Sequence, residues 1–207
     1  MIELYISAFV TFFVVIDPPG CAPIFAGLTR GADMAHRTAM AVRSTLVAAA
    51  ILLVFALLGE PLLQTLGISL EAFRIAGGIM LFLIALEMVF EKRQQRREER
   101  AHEVELHPEQ YDDISIFPMA MPMIAGPGSI ASAMLLMQRS HGLEAHLVVM
   151  AALATVLLMM MGALLAAGPL MRFLGYKVEA VITRLLGVLL AALASQFVID
   201  GVRASFG

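Results

Sequence analysis

Charge is scarce in this chain. Of 207 residues only 15% are Asp, Glu, Lys or Arg, and the 14 basic and 17 acidic groups leave a net charge of −3. A soluble domain carries about 25% charged residues, so this content cannot keep a 60% hydrophobic chain in water. No domain is of one sign, which gives a nucleic acid nothing to recognise. Cysteine is nearly absent, and Cys21 alone excludes an internal disulfide framework and a Cys-based zinc cluster. Lys and Arg are missing before the first apolar run, MIELYISAFVTFFVVI, and no small-residue cleavage pattern follows it, so it reads as a retained first span. Strand-like alternation is lacking too, which argues against a β-barrel.

What is present is oil. At ~20 apolar residues per transmembrane helix, the hydrophobic content fills about six spans, and mean hydropathy is +0.86. Hydropathy places them near residues 3–28, 39–59, 68–90, 114–137, 146–167 and 178–202. The expected organisation is a first three-helix unit over 1–90, a charged loop over 91–113 and a second three-helix unit over 114–207. The loop, EKRQQRREERAHEVELHPEQYDD, starts basic and ends acidic, and reads as a solvated extension of the third helix followed by a linker. Ten of the 14 basic residues fall in the connections on one side, two (Arg139 and Arg203) on the other, and Arg74 and Arg184 within spans. This predicts both termini outside the cytoplasm.

The chain repeats itself at an offset of 108. Ile16 aligns with Ile124, Pro19 with Pro127, Gly20 with Gly128, Pro61 with Pro169, Gly67 with Gly175 and Glu71 with Glu179. Composition alone gives roughly 0.2 Pro–Pro matches at one ungapped offset, against the two found. Each copy holds three spans, an odd number, so the copies must be inverted relative to each other. The expected fold is an all-α membrane protein of six transmembrane helices arranged as two inverted three-helix repeats, a design whose sites lie at the repeat interface.

The first and fourth spans carry IDPPGCAPIF (16–25) and PMAMPMIAGPGSIAS (118–132) near their centres. Proline removes a backbone donor and glycine ends helices, so Pro18, Pro19, Gly20 and Gly126, Pro127, Gly128 are expected to break both helices near the bilayer midplane. Such backbone is tolerated only where it is buried in protein or lines a polar cavity. Breaks that merely allow close helix crossing are the plainer reading. Each restarted half-helix offers free amides and a partial positive charge, a ready site for an anion or carboxylate. Ser129 adds a hydroxyl, and Cys21 holds the matching place in the first copy. Asp17, costing at least ~2.5–3.5 kcal/mol as a mid-membrane ion, should face a cavity or a partner, or cap the half-helix begun by Pro18; the roles are compatible. Arg74 and Arg184 either snorkel or serve as coupling or pairing groups for Asp17.

Enzyme motifs fail, and no cofactor or metal is implied. All five histidines sit in connections or at a span edge, so Ser129 has no deep base. His102-Glu103 begins an HExxH pattern, but Leu106 stands where the second histidine belongs.

With DPPGCAPIFAGLT (17–29), PMIAGPGSI (122–130) and six spans around a charged loop, the whole chain resembles the MarC family of bacterial inner-membrane proteins, which includes neutral amino acid transporters. The resemblance implies a secondary transporter of small neutral amino acids such as glycine or alanine, with export one direction it allows and a proton or sodium as coupling ion. It places the substrate at Asp17, Pro18, Pro19, Gly20, Gly126, Pro127 and Gly128. A metal or other ion transporter, an intramembrane hydrolase and a non-transporting scaffold are the alternatives. Oligomeric state stays open.

Overall fold

The computed structural model describes residues 1–106 and 114–206, with backbone alone for 105, 106, 170–177 and 179. The part of the expected loop at 107–113 lies outside the described residues. Among the described residues, eight helices run in the order α1 (Ile2–Ile16), α2 (Pro18–Leu28), α3 (Met34–Thr65), α4 (Leu70–Val89), α5 (Lys92–Leu106), α6 (Pro127–Arg139), α7 (Leu143–Leu165) and α8 (Ala167–Phe206), with an irregular wound segment, Ser115–Ile124, before α6. The described residues contain no strand. Local chemistry marks several starts. Asp33 accepts the His36 amide at 2.7 Å to open α3, and Ser69 accepts that of Ala72 at 3.2 Å to open α4.

Among the described residues, five helices are long and apolar enough to cross a membrane: Ile2–Leu28 taken as one, Met34–Thr65, Leu70–Val89, Leu143–Leu165 and Ala180–Phe206. Ser115–Ile124 and α6, bent by 52°, make a sixth if taken together. In Ser115–Ile124, Phe117 and Met121 are extended, each preceding a proline whose ring disfavours the helical conformation of the residue before it. Where the sequence suggests a connection at 168–177, the backbone stays helical and α8 begins at Ala167.

Phe12, Phe25, Leu52, Leu81, Leu135 and Met160 are fully buried at the centre, while Leu53, Val54, Leu57 and Leu58 of α3 stand exposed. That is oil inside and oil outside, as a bilayer solvent permits. The most extensive packing among the described residues is α4 against α8. Small residues allow it: a Cβ on Gly187 would lie 2.9 Å from Met88 Cβ and 3.1 Å from the Ala85 carbonyl oxygen.

Candidate functional site

At Asp17 the chain leaves the helix for one residue. Its backbone is left-handed, φ 60° and ψ 66°, a conformation that aspartate tolerates better than most side chains. Its Oδ1 accepts the Gly20 amide at 3.1 Å, so Asp17 is the N-cap of α2. Pro18, Pro19 and Gly20 are therefore not unwound. They form the first turn of α2, where a missing N–H removes no helical bond. The Cys21 thiol is buried and donates to the Ile16 carbonyl at 3.7 Å.

Asp17 has a second partner that the sequence reading missed. Arg97 of α5 donates from Nη1 to Asp17 Oδ2 at 2.7 Å, and the two side chains are 5% and 1% exposed. The charged stretch is thus no simple solvated extension. Phe90 and Glu91, the latter at φ 60°, separate α5 from α4, and α5 packs on α2 and α4. Gly20 makes the pair possible, because a Cβ there would lie 2.3 Å from Asp17 Oδ2 and 2.9 Å from Arg97 Nη1. Arg93, one turn earlier, donates from Nη2 to the Val15 carbonyl at 2.5 Å. Desolvation, and then the neighbouring Arg97 guanidinium, pull its pKa down to about 10, leaving it a cation at neutral pH. Arg96 pairs with Glu87. The spacing of Arg93, Arg96, Arg97 and Arg100, at i, i+3, i+4 and i+7, puts all four on one helical face.

That face lines a cavity of about 370 Å³, within the range of small-molecule sites. The opposite wall is Gly126, Pro127, Gly128 and Ser129, the start of α6. Gly126 caps α6, and its first ladder bond runs from the Ile130 amide to the Gly126 carbonyl at 3.0 Å. The amides of Gly128 and Ser129 precede that bond and are not used by the helix. A Cβ on Gly128 would lie 2.5 Å from Ile84 Cδ1 and 3.2 Å from Val15 Cγ1, so only glycine lets α6 come this close to α1 and α4. The structure places only the second motif on this cavity: none of Asp17, Pro18, Pro19, Gly20 and Cys21 lines it, and Arg97 is the link between Asp17 and the cavity. It does not bring Arg74 or Arg184 to Asp17. Arg184 pairs with Glu91 at 2.6 Å, and Arg74 Nε has no hydrogen-bond partner among the described residues. Glu87 and Asp200 are ion-paired, with Arg96 and Arg139.

The family model described as MarC family integral membrane protein matches residues 2–206. The chain belongs to the MarC family. Among its relatives, the UPF0056 membrane protein MJ1677 of Methanocaldococcus jannaschii is 36% identical over 204 residues, covering 99% of this chain and 98% of its own. The UPF0056 membrane protein YhcE of Escherichia coli is 32% identical, covering 98% and 94%. The UPF0056 inner membrane protein YhgN, also of Escherichia coli, is 33% identical, covering 96% and 95%. No solved structure matches this MarC family chain. It is a multi-pass integral membrane protein.

Proposed function

We propose that the protein is a secondary transporter that carries a small neutral amino acid of the glycine or alanine kind. The observation that carries this reading is the cavity in which the free amides of α6 face the arginine side of α5. The substrate carboxylate binds the Gly128 and Ser129 amides and the nearby guanidinium groups. Its ammonium uses carbonyl groups of the irregular segment, because Asp17 is already taken by Arg97 and Glu87 by Arg96. An incoming carboxylate competes with Asp17 for Arg97, and a proton on Asp17 weakens the same bond. Either event loosens α5 from the mouth of the cavity.

Alternating access between inverted repeats is supported by the 108-residue offset and by the packing. Exchanging the halves turns α1 on α7 into the fourth span on α3, turns α2 on α8 into α6 on α4, and leaves α4 on α8 unchanged. The basic connections, α5 included, then lie in the cytoplasm.

Counterflow of radiolabelled glycine or alanine in proteoliposomes tests the reading. Wild-type protein should accumulate label, and Gly128→Val should abolish this while the protein still inserts. Wild-type vesicles that move no small amino acid, with or without a proton or sodium gradient, would overturn it. A second reading, transport of a small anion, is favoured by the four arginines against one glutamate on the cavity wall. Uptake of labelled acetate or phosphate in place of glycine distinguishes it.

A further inference from the structure

The two ends of α6 open into different cavities. Its N-terminus lines the site above; its last turns, with Met134, Met137 and Gln138, line a second cavity of about 390 Å³. At ~1.5 Å per residue, Gly128 of the first cavity and Gln138 of the second stand about 15 Å apart along the helix. Gln138 is 8% exposed, and neither its Oε1 nor its Nε2 has a hydrogen-bond partner among the described residues. Buried amides are almost always satisfied, so an unpartnered one on a cavity-lining side chain leaves hydrogen-bonding capacity that a ligand uses once the amide rotates into the cavity. Around it stand Glu60 and Gln64 of α3, joined by a 3.3 Å hydrogen bond from Gln64 Nε2 to Glu60 Oε1, and His146 of α7. Among the described residues, no lysine or arginine lines this cavity. Arg139, the next residue, is engaged with Asp200 and lies over the Phe197 ring.

We propose that this second cavity binds a compact zwitterion, a primary ammonium a few bonds from an anionic oxygen. The Glu60 carboxylate and Gln138 Oε1 accept from the ammonium, while Gln138 Nε2 and a His146 ring N–H donate to the anionic oxygen. Ala56, Leu57 and the two methionines leave room for a short apolar stem. Two molecules carry this chemistry, a free amino acid and an aminophospholipid headgroup. The first rests on the transport reading and makes the cavity a station at the far end of α6; the second does not need it.

The test is equilibrium binding of radiolabelled glycine to the purified full chain in phosphatidylcholine nanodiscs, with a parallel arm that counts phosphatidylethanolamine retained by the protein. Gln138→Leu is safe to make, since replacing an unpartnered buried amide by an apolar group of similar size is neutral or stabilising. A thermal melt checks this. The expected result is a glycine site, additional to that of the first cavity, that is lost in Gln138→Leu, weakens at least tenfold in Glu60→Gln, and is not competed by acetate or methylamine. Retained phosphatidylethanolamine that falls in both variants, with no glycine bound, supports the cavity as a headgroup site while the amino acid reading fails. Glycine binding and lipid retention that both ignore Gln138→Leu and Glu60→Gln overturn the proposal, whatever Gly128→Val does to transport. Transport that survives Gly128→Val overturns only the reading of the first cavity.

Discussion

Asp17 does two jobs with its two oxygens, and this governs what its loss should cost. Oδ1 caps α2 and Oδ2 holds Arg97, both out of contact with solvent. A buried ion pair gains little over an apolar pair of similar shape, yet removing one partner strands the other charge at about 3–5 kcal/mol. Arg97→Gln should therefore destabilise the protein by roughly that amount, and Asp17→Asn by a similar amount with the added loss of a good cap. The double variant Asp17→Asn/Arg97→Gln should be more stable than the sum of the two losses predicts, because no unpaired charge is left. Gly20→Ala should resemble Arg97→Gln, since its methyl group would occupy the space of the pair. Unfolding in detergent, run as a double-mutant cycle, reads the coupling; additive losses would mean that the pair carries no energy.

At the scale of elements, the apolar helices and the two interruptions were legible because lipid imposes strict terms on a chain. Spans must be long and oily, and Asp, Pro and Gly at their centres need a reason. The reason for Asp17 was not legible as a contact, because its partner lies 80 residues away in a segment whose composition reads as solvated. One signal was present: Arg93, Arg96, Arg97 and Arg100 fall on a single face, which a merely solvated helix does not require. The break expected at Pro18–Gly20 is confined to Asp17 for a local reason, since a helix start absorbs proline and Asp17 supplies the cap. The α4–α8 seam carries its own prediction. Gly187→Leu should destabilise by about 1–3 kcal/mol through overpacking, because Met88 and the Ala85 carbonyl leave no room for a side chain. Gly27→Ala in α2 meets nothing within 4 Å and should be neutral or gain up to about 1 kcal/mol. Paired thermal melts check the contrast, and equal losses would remove close packing as the role of Gly187.

For the whole molecule, the decisive matter is which way it sits, since orientation assigns the arginine-lined cavity to one side and the Gln138 cavity to the other. We propose from the count of basic residues in the connections, ten against two, that α5 lies in the cytoplasm and both termini outside. The chain is well suited to testing this. Its one cysteine, Cys21, is buried and hydrogen-bonded, so the wild-type thiol should not react with an impermeant maleimide and gives a silent background. Ile2, Glu99 and Ser205 are exposed and lie near the N-terminus, on α5 and near the C-terminus. Ile2→Cys and Ser205→Cys should label in intact cells, and Glu99→Cys only after the membrane is permeabilised. Labelling of one terminus but not the other would mean an odd number of crossings, which would place Ser115–Ile124 and α6 in a re-entrant loop. An odd count would also end the inverted-repeat argument, because two three-span copies cannot leave the termini on opposite sides. Labelling of Glu99→Cys alone in intact cells would keep the architecture and reverse the direction in which the arginine cavity opens.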